Sequence, residues 1–274
     1  MASGTPSGAE RFAPSCPPEA VRPDGWIGVI GIGSLLSETS ARFTSPNLRG
    51  FRVVRLSGYR RVFAHTAPVF FHRGITRGRE ISSLSMEPLS AADDPELAHG
   101  DLGLVATYFE IPGDEFPALA AREAEFNLVA AHPSHPDTGE RLPPAVLCAA
   151  SSDEEYVQRY CVAAEDRTDD ACGCVACDLR RHGEPKVWYP LARSAEEDDD
   201  AAPAPPPEIP IYPCRTYARH CVLAARSLGE DAEASFLDHT FLADRRTTLR
   251  TYLESNPDLM EEKPPPELAE RYNG

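Results

Sequence analysis

The chain has 274 residues and a formal net charge of −16, from 43 acidic against 27 basic side chains. A hydrophobic share of 42% is that of a globular protein, and the length is enough to bury a substantial core. The acidic balance argues against a nucleic-acid backbone or an anionic membrane surface as ligand, and no apolar stretch approaches the ~20 residues of a membrane-spanning helix.

Residues 1–25 are rich in Pro, Ser, Ala and Gly and read as a disordered tail, without the basic start and apolar core of a secretory signal. Trp26 to Ile30 is an apolar run that reads as a buried strand. It ends in Gly31-Ile32-Gly33-Ser34-Leu35-Leu36. Such a turn brings backbone N–H groups close to a ligand, because glycine places no Cβ in the way. Residues 51–56 and Tyr59 to Ala64 alternate as strands do, and Leu84 to Pro88 reads as a strand stopped by proline. Leu102 to Ile111 is apolar and β-rich, and we expect a central strand there.

Phe116, Leu119, Ala120 and Glu123 share one face of an expected helix over Phe116 to Glu125. A carboxylate on an apolar face costs free energy unless it is paired or functional. Phe126 to Ala131 and Ala145 to Ala150 read as further strands. Ser152-Asp153-Glu154-Glu155 resembles a capping box opening a helix to about Ala164, and 171–193 reads as irregular. An acidic run, Glu196 to Asp200, and a proline-rich stretch make a disordered insertion at about 192–209. Helices are expected at 214–228, 231–242 and 244–254, and 256–274 reads as a loose C-terminal tail. The organisation expected is one domain over 26–255.

Several segments in order carry a resemblance. Ile32-Gly33-Ser34-Leu35 is followed by Gly58-Tyr59-Arg60-Arg61, then Arg73-Gly74, then Ala121-Arg122-Glu123, then Pro213-Cys214-Arg215-Thr216-Tyr217. This order resembles the gamma-glutamylcyclotransferase-like family, its ChaC-type branch most closely, over roughly 26–130 and 210–228. The chain departs from the pattern at Ile32, where the family has tyrosine.

The resemblance implies an α+β fold, a mixed β-barrel with flanking helices. It implies an enzyme that cyclises a γ-glutamyl group, in glutathione or a γ-glutamyl peptide or amine, to 5-oxoproline with release of the amine. The substrate carries its own nucleophile, so the enzyme needs a carboxyl group to move protons and ordered N–H donors for the oxyanion. The expected acid/base is Glu123, with Glu125 as nearby competitor. The expected substrate-binding residues are Gly31, Ile32, Gly33, Ser34, Leu35 and Tyr217. Neither cofactor nor metal is expected. The partner is a small γ-glutamyl molecule rather than nucleic acid or membrane, and the expected location is the cytoplasm.

Two other readings stand beside it. A regulatory or small-molecule-binding module on the same fold would have lost catalysis at Ile32. A zinc-stabilised interaction protein would use Cys172, Cys174 and Cys177, with Cys161 and His182 near in sequence. The spacing of those cysteines is unlike paired C-x2-C sites, and loose reduced thiols are the expectation. Arg60 and Arg61 read either as substrate-orienting or as ion-paired, and His65 and His72 as packing or surface residues.

Overall fold

The computed structural model describes residues 14–89, 103–155, 175–184, 186–190 and 209–274. Its centre is a nine-stranded mixed sheet, with main path β2-β5-β1-β7-β4-β3-β9. The strands are β1 (Trp26–Gly31), β2 (Arg49–Leu56), β3 (Tyr59–Thr66), β4 (Glu80–Pro88), β5 (Leu104–Pro112), β6 (Asn127–Ala131), β7 (Ala145–Ala149), β8 (Tyr212–Pro213) and β9 (Thr240–Leu242). β6 pairs with β7, and β8 with β4, off that path.

β1 lies between antiparallel β5 and parallel β7, in register Val29↔Phe109 and Val29↔Val146. A strand covered on both faces is apolar throughout, which is why Ile27 to Gly31 reads as one run. β2, at one end of the path, alternates arginine with apolar residues. Charged side chains discourage further pairing at such an edge. The sheet curls, because Arg61 on β3 donates both to Ile32 O just beyond β1 and to Val105 O on β5. The result is a half-barrel, with no pairing between the end strands β2 and β9 among the described residues.

The helices are α1 (Glu38–Arg42), α2 (Pro68–His72), α3 (Phe116–Arg122), α4 (Val175–Arg181), α5 (Arg215–Ser227), α6 (Glu230–Asp238) and α7 (Leu249–Ser255). α5 and α6 cover one face of the sheet, where Tyr217, Cys221, Val222 and Phe236 meet Ile30, Phe63 and Leu84. α3 covers the other, where Phe116 and Leu119 meet Val29, Phe109 and Val146. No helix among the described residues is long and apolar enough to cross a membrane.

The structure corrects several expectations. α3 ends at Arg122 rather than Glu125. β4 begins at Glu80, its first half hidden in sequence by the serines Ser82, Ser83 and Ser85, all of them buried. The helix expected to Leu242 stops at Asp238, and buried Thr240 enters β9 opposite Arg61. The next helix begins at Leu249, not 244. Asp244 Oδ1 instead accepts from the N–H groups of Arg246 and Thr247, both at 3.0 Å, and holds a turn. α4 lies in a stretch read as irregular. The short helices α1 and α2 were not expected.

Residues 256–274 are packed rather than loose, with Leu259, Leu268 and Tyr272 buried. The described part of the N-terminal segment also packs, burying Ala20 and bridging Val21 to Ile27. The capping box does form. Glu155 N donates to Ser152 Oγ at 3.0 Å, and Ser152 N to Glu155 Oε2 at 3.3 Å. The expected continuation of that helix, the 192–208 part of the insertion, and Cys161, Cys172 and Cys174 lie outside the described residues, as does the Cys177 side chain.

Candidate functional site

The glycine turn closes against β5. Leu36 N donates to Gly33 O at 2.9 Å and Ser37 N to Ser34 O at 3.2 Å, making a 3-10 turn over Ser34–Leu36. The N–H groups of Gly33, Ser34 and Leu35 precede the first of these bonds and donate to no described residue. Two buried groups hold the turn from behind. Arg61 Nε donates to Ile32 O at 2.9 Å, and Thr107 Oγ1 to Leu35 O at 2.8 Å.

Gly31 and Gly33 serve different needs. A Cβ on Gly31 would fall on Leu35 O and Thr107 Oγ1, so Gly31 lets the turn fold back on the sheet. It is not on the pocket wall, contrary to expectation. A Cβ on Gly33 would lie 2.8 Å from the Tyr217 hydroxyl, on the pocket side.

The early end of α3 shapes the opposite wall. Residues two apart on a helix point about 200° away from each other. Because the helix stops at Arg122, Glu123 and Glu125 both line one pocket. Arg122 ties this wall to the turn: Nη2 donates to Ser34 Oγ at 2.8 Å, and Nε lies 2.9 Å from Glu123 Oε1. Nη1 donates to Ser40 O and Thr44 Oγ1, both at 3.0 Å.

The pocket opens to solvent, and its empty space, the solvent at the mouth included, is about 620 Å³. Ile32, Gly33, Ser34 and Leu35 form one side, and Glu123, Glu125 and Cys148 the other. Tyr217, Arg271 and Tyr272 complete it. Burial pushes the Glu123 carboxyl above its ordinary value; Arg122, Arg271 and a hydrogen bond from the Cys148 thiol pull it partly back. Burial pushes Glu125 further, to about 8, with the Glu123 charge adding to the rise. Glu125 is thus neutral at neutral pH, while Glu123 beside it is paired with Arg122.

His65 lies behind Glu125, its ring 4.7 Å from both Phe126 and Trp188. Burial lowers its pKa to about 3. Its Nε2 is 3.9 Å from Glu125 Oε1, too long for a hydrogen bond, and both groups are neutral, so they form no ion pair. Both ring nitrogens are without a partner among the described residues.

Tyr217 is buried, and its hydroxyl hydrogen-bonds Ser83 and Cys221. Arg61 is fully buried structural support rather than a ligand for substrate, and Arg60 pairs with Glu87 at 3.2 Å. Arg271 went unnoticed in the sequence because it falls in the supposed tail. Its guanidinium lies 5.7 Å from the centre of the Tyr272 ring, and no ion pair ties it to another described residue. Burial lowers its pKa. The one signal that marks this segment as packed is the i, i+4 spacing of Leu268 and Tyr272. Gly274 N donates to His220 Nδ1 at 3.1 Å and Ser37 Oγ to Gly274 O at 3.3 Å, anchoring the segment. The His/Asp group with metal-ligand spacing, His72, Asp178 and His182, lies outside this pocket.

No family model and no curated protein matches the chain. Two solved structures resemble it. An uncharacterized protein from Homo sapiens is 10% identical with a TM-score of 0.35, over 64% of this chain and 97% of that one. A gamma-glutamyl cyclotransferase is 10% identical with a TM-score of 0.32, over 64% of this chain and 96% of that one. The functional reading therefore rests on the pocket.

Proposed function

We propose that the chain is a gamma-glutamylcyclotransferase of the ChaC type, acting on glutathione or a related γ-glutamyl peptide or amine. The observation that carries the reading is the pocket itself: a buried carboxyl pair facing a turn with three unengaged N–H groups. Glu123 takes a proton from the substrate α-ammonium. The freed amine attacks the γ-carbonyl carbon, and the N–H groups of Gly33, Ser34 and Leu35 receive the oxyanion. The bond to the leaving nitrogen breaks as that nitrogen takes the proton from Glu123. The ring nitrogen then passes its surplus proton through the Glu123 carboxylate to the released amine, and 5-oxoproline and the ammonium product leave. Arg271 is the cation for the substrate α-carboxylate, and neutral Glu125 keeps a second negative charge away from it.

No prosthetic group enters these steps. Cytoplasmic placement belongs to the same reading and is supported by the free thiols of Cys16, Cys148, Cys214 and Cys221. The test is incubation with glutathione and with γ-glutamyl amino acids, following 5-oxoproline release. Turnover is expected, and Glu123→Gln is expected to lower kcat by about 100-fold or more. Turnover that survives Glu123→Gln nearly unchanged removes Glu123 from the mechanism, and no release from any γ-glutamyl compound removes the activity.

A further inference from the structure

α2 ends at His72, and its neighbour α4 carries Asp178, with His182 one residue past its end. Asp178 and His182 are four apart and share one face. One ligand atom from each of His72, Asp178 and His182 lies within 4.8 Å of the others. His72 Nε2 is 2.9 Å from Asp178 Oδ2, and the two imidazole centres are 5.3 Å apart.

From this geometry we propose that His72, Asp178 and His182 bind one zinc-like divalent cation between α2 and α4. Two imidazole nitrogens and one carboxylate oxygen are a donor set for zinc; calcium and magnesium prefer oxygen alone. The surroundings hold the ligands in place. Phe71 stacks on His182, with centres 5.2 Å apart and planes at 22°, fixing that ring. Arg181 Nη1 stands 3.8 Å from Asp178 Oδ1, the oxygen turned away from His72, and leaves Oδ2 for the metal. Outer partners of this kind orient ligands in metal sites.

Three protein ligands leave a fourth position open. The His72 side chain is 50% exposed, so an ion has a path in. Asp178 and Arg181 line a groove that also carries Arg122 and Glu125. The site therefore borders the approach to the carboxyl pocket without forming part of it. The expectation of no metal weighed the cysteine run with Cys161 and His182 near it and did not bring His72 to His182, since they lie 110 positions apart in sequence.

The experiment is equilibrium dialysis of the full chain against Zn²⁺, repeated with Co²⁺ for its visible spectrum. One ion per chain is expected, with the spectrum of a nitrogen–oxygen site and no thiolate charge-transfer band. His72→Ala and His182→Ala are each expected to weaken binding at least about 10-fold, with unchanged melting in the absence of metal. The variant with Cys172, Cys174 and Cys177 all changed to Ser is expected to bind as the native chain does. Three results overturn the proposal: no stoichiometric ion, binding indifferent to both histidine variants, or a thiolate spectrum lost with the cysteines. None of these readouts depends on 5-oxoproline release, so this site and the cyclotransferase reading stand or fall separately.

Discussion

A methyl group placed on Gly33 would meet the Tyr217 hydroxyl at 2.8 Å and Leu84 Cδ2 at 3.1 Å. Neither neighbour has room to withdraw, since Leu84 is in the core and Tyr217 packs on Phe70 with ring centres 5.1 Å apart. Gly33→Ala is therefore expected to destabilise the fold by about 1–3 kcal/mol through overpacking and to displace the Tyr217 hydroxyl from Ser83 and Cys221. Tyr217→Phe removes the atom in conflict. In a double-mutant cycle measured by urea denaturation, the pair should be less destabilised than the sum of the single changes. Strict additivity would show that the hydroxyl is not what Gly33 accommodates. At this scale the sequence carried the turn itself, because Gly-x-Gly-Ser after an apolar strand is a local pattern. It did not distinguish the two glycines. What Gly31 meets is Thr107 as well as the nearby Leu35 backbone, and what Gly33 meets is Tyr217; both side chains are distant in the chain.

Strands with continuous or alternating apolar residues were legible, because their patterns follow from which faces the sheet buries: β1, β2, β3, β5, β6 and β7 lie where expected within a few residues. What was illegible depends on tertiary partners. Buried serines disguise β4, Asp244 diverts the chain from a helix into a turn, and β9 exists only because β3 is there to pair with it. The candidate site divides in the same way. Glu123, Glu125 and the turn were found from local motifs, whereas Arg271 reaches the pocket from a C-terminal segment whose packing has no strong local period. That segment carries a prediction. A charge-assisted hydrogen bond to the substrate α-carboxylate contributes about 1.5–3 kcal/mol. Under the cyclotransferase reading, Arg271→Gln should raise KM for a γ-glutamyl substrate by about 10- to 100-fold and change kcat much less. Arg271→Lys should recover part of the loss. An unchanged KM in steady-state assays would mean that the carboxylate is bound elsewhere.

The whole molecule carries buried titratable groups whose effects on stability oppose one another. The Glu125 pKa rises on folding from 4.5 to about 8. Between those values the unfolded chain has released the proton and the folded chain still holds it, so stability falls as pH rises, by roughly 1 kcal/mol per pH unit. The His65 pKa falls on folding from 6.5 to about 3. Between those values the unfolded chain has gained a proton that the folded chain refuses, so stability falls as pH drops, at a similar slope. His220, whose pKa falls on folding to about 4, adds to the His65 slope, so from about pH 4.5 to 6.5 the two histidines outweigh Glu125 and stability rises with pH; from about pH 6.5 to 8 the Glu125 slope remains and stability declines. Glu125→Gln keeps the shape and removes the alkaline slope. Its stability should therefore rise from about pH 4.5 to 6.5 more steeply than that of the native chain, and then hold level to about pH 8, where the native chain declines. The free energies of the two proteins should differ least near pH 4 and most near pH 8. Urea denaturation at one-unit pH steps and fixed ionic strength measures both curves, and the fixed ionic strength holds the self-repulsion of the −16 net charge comparable between them. Parallel curves across the whole range would mean that Glu125 is ionised in the folded chain at neutral pH.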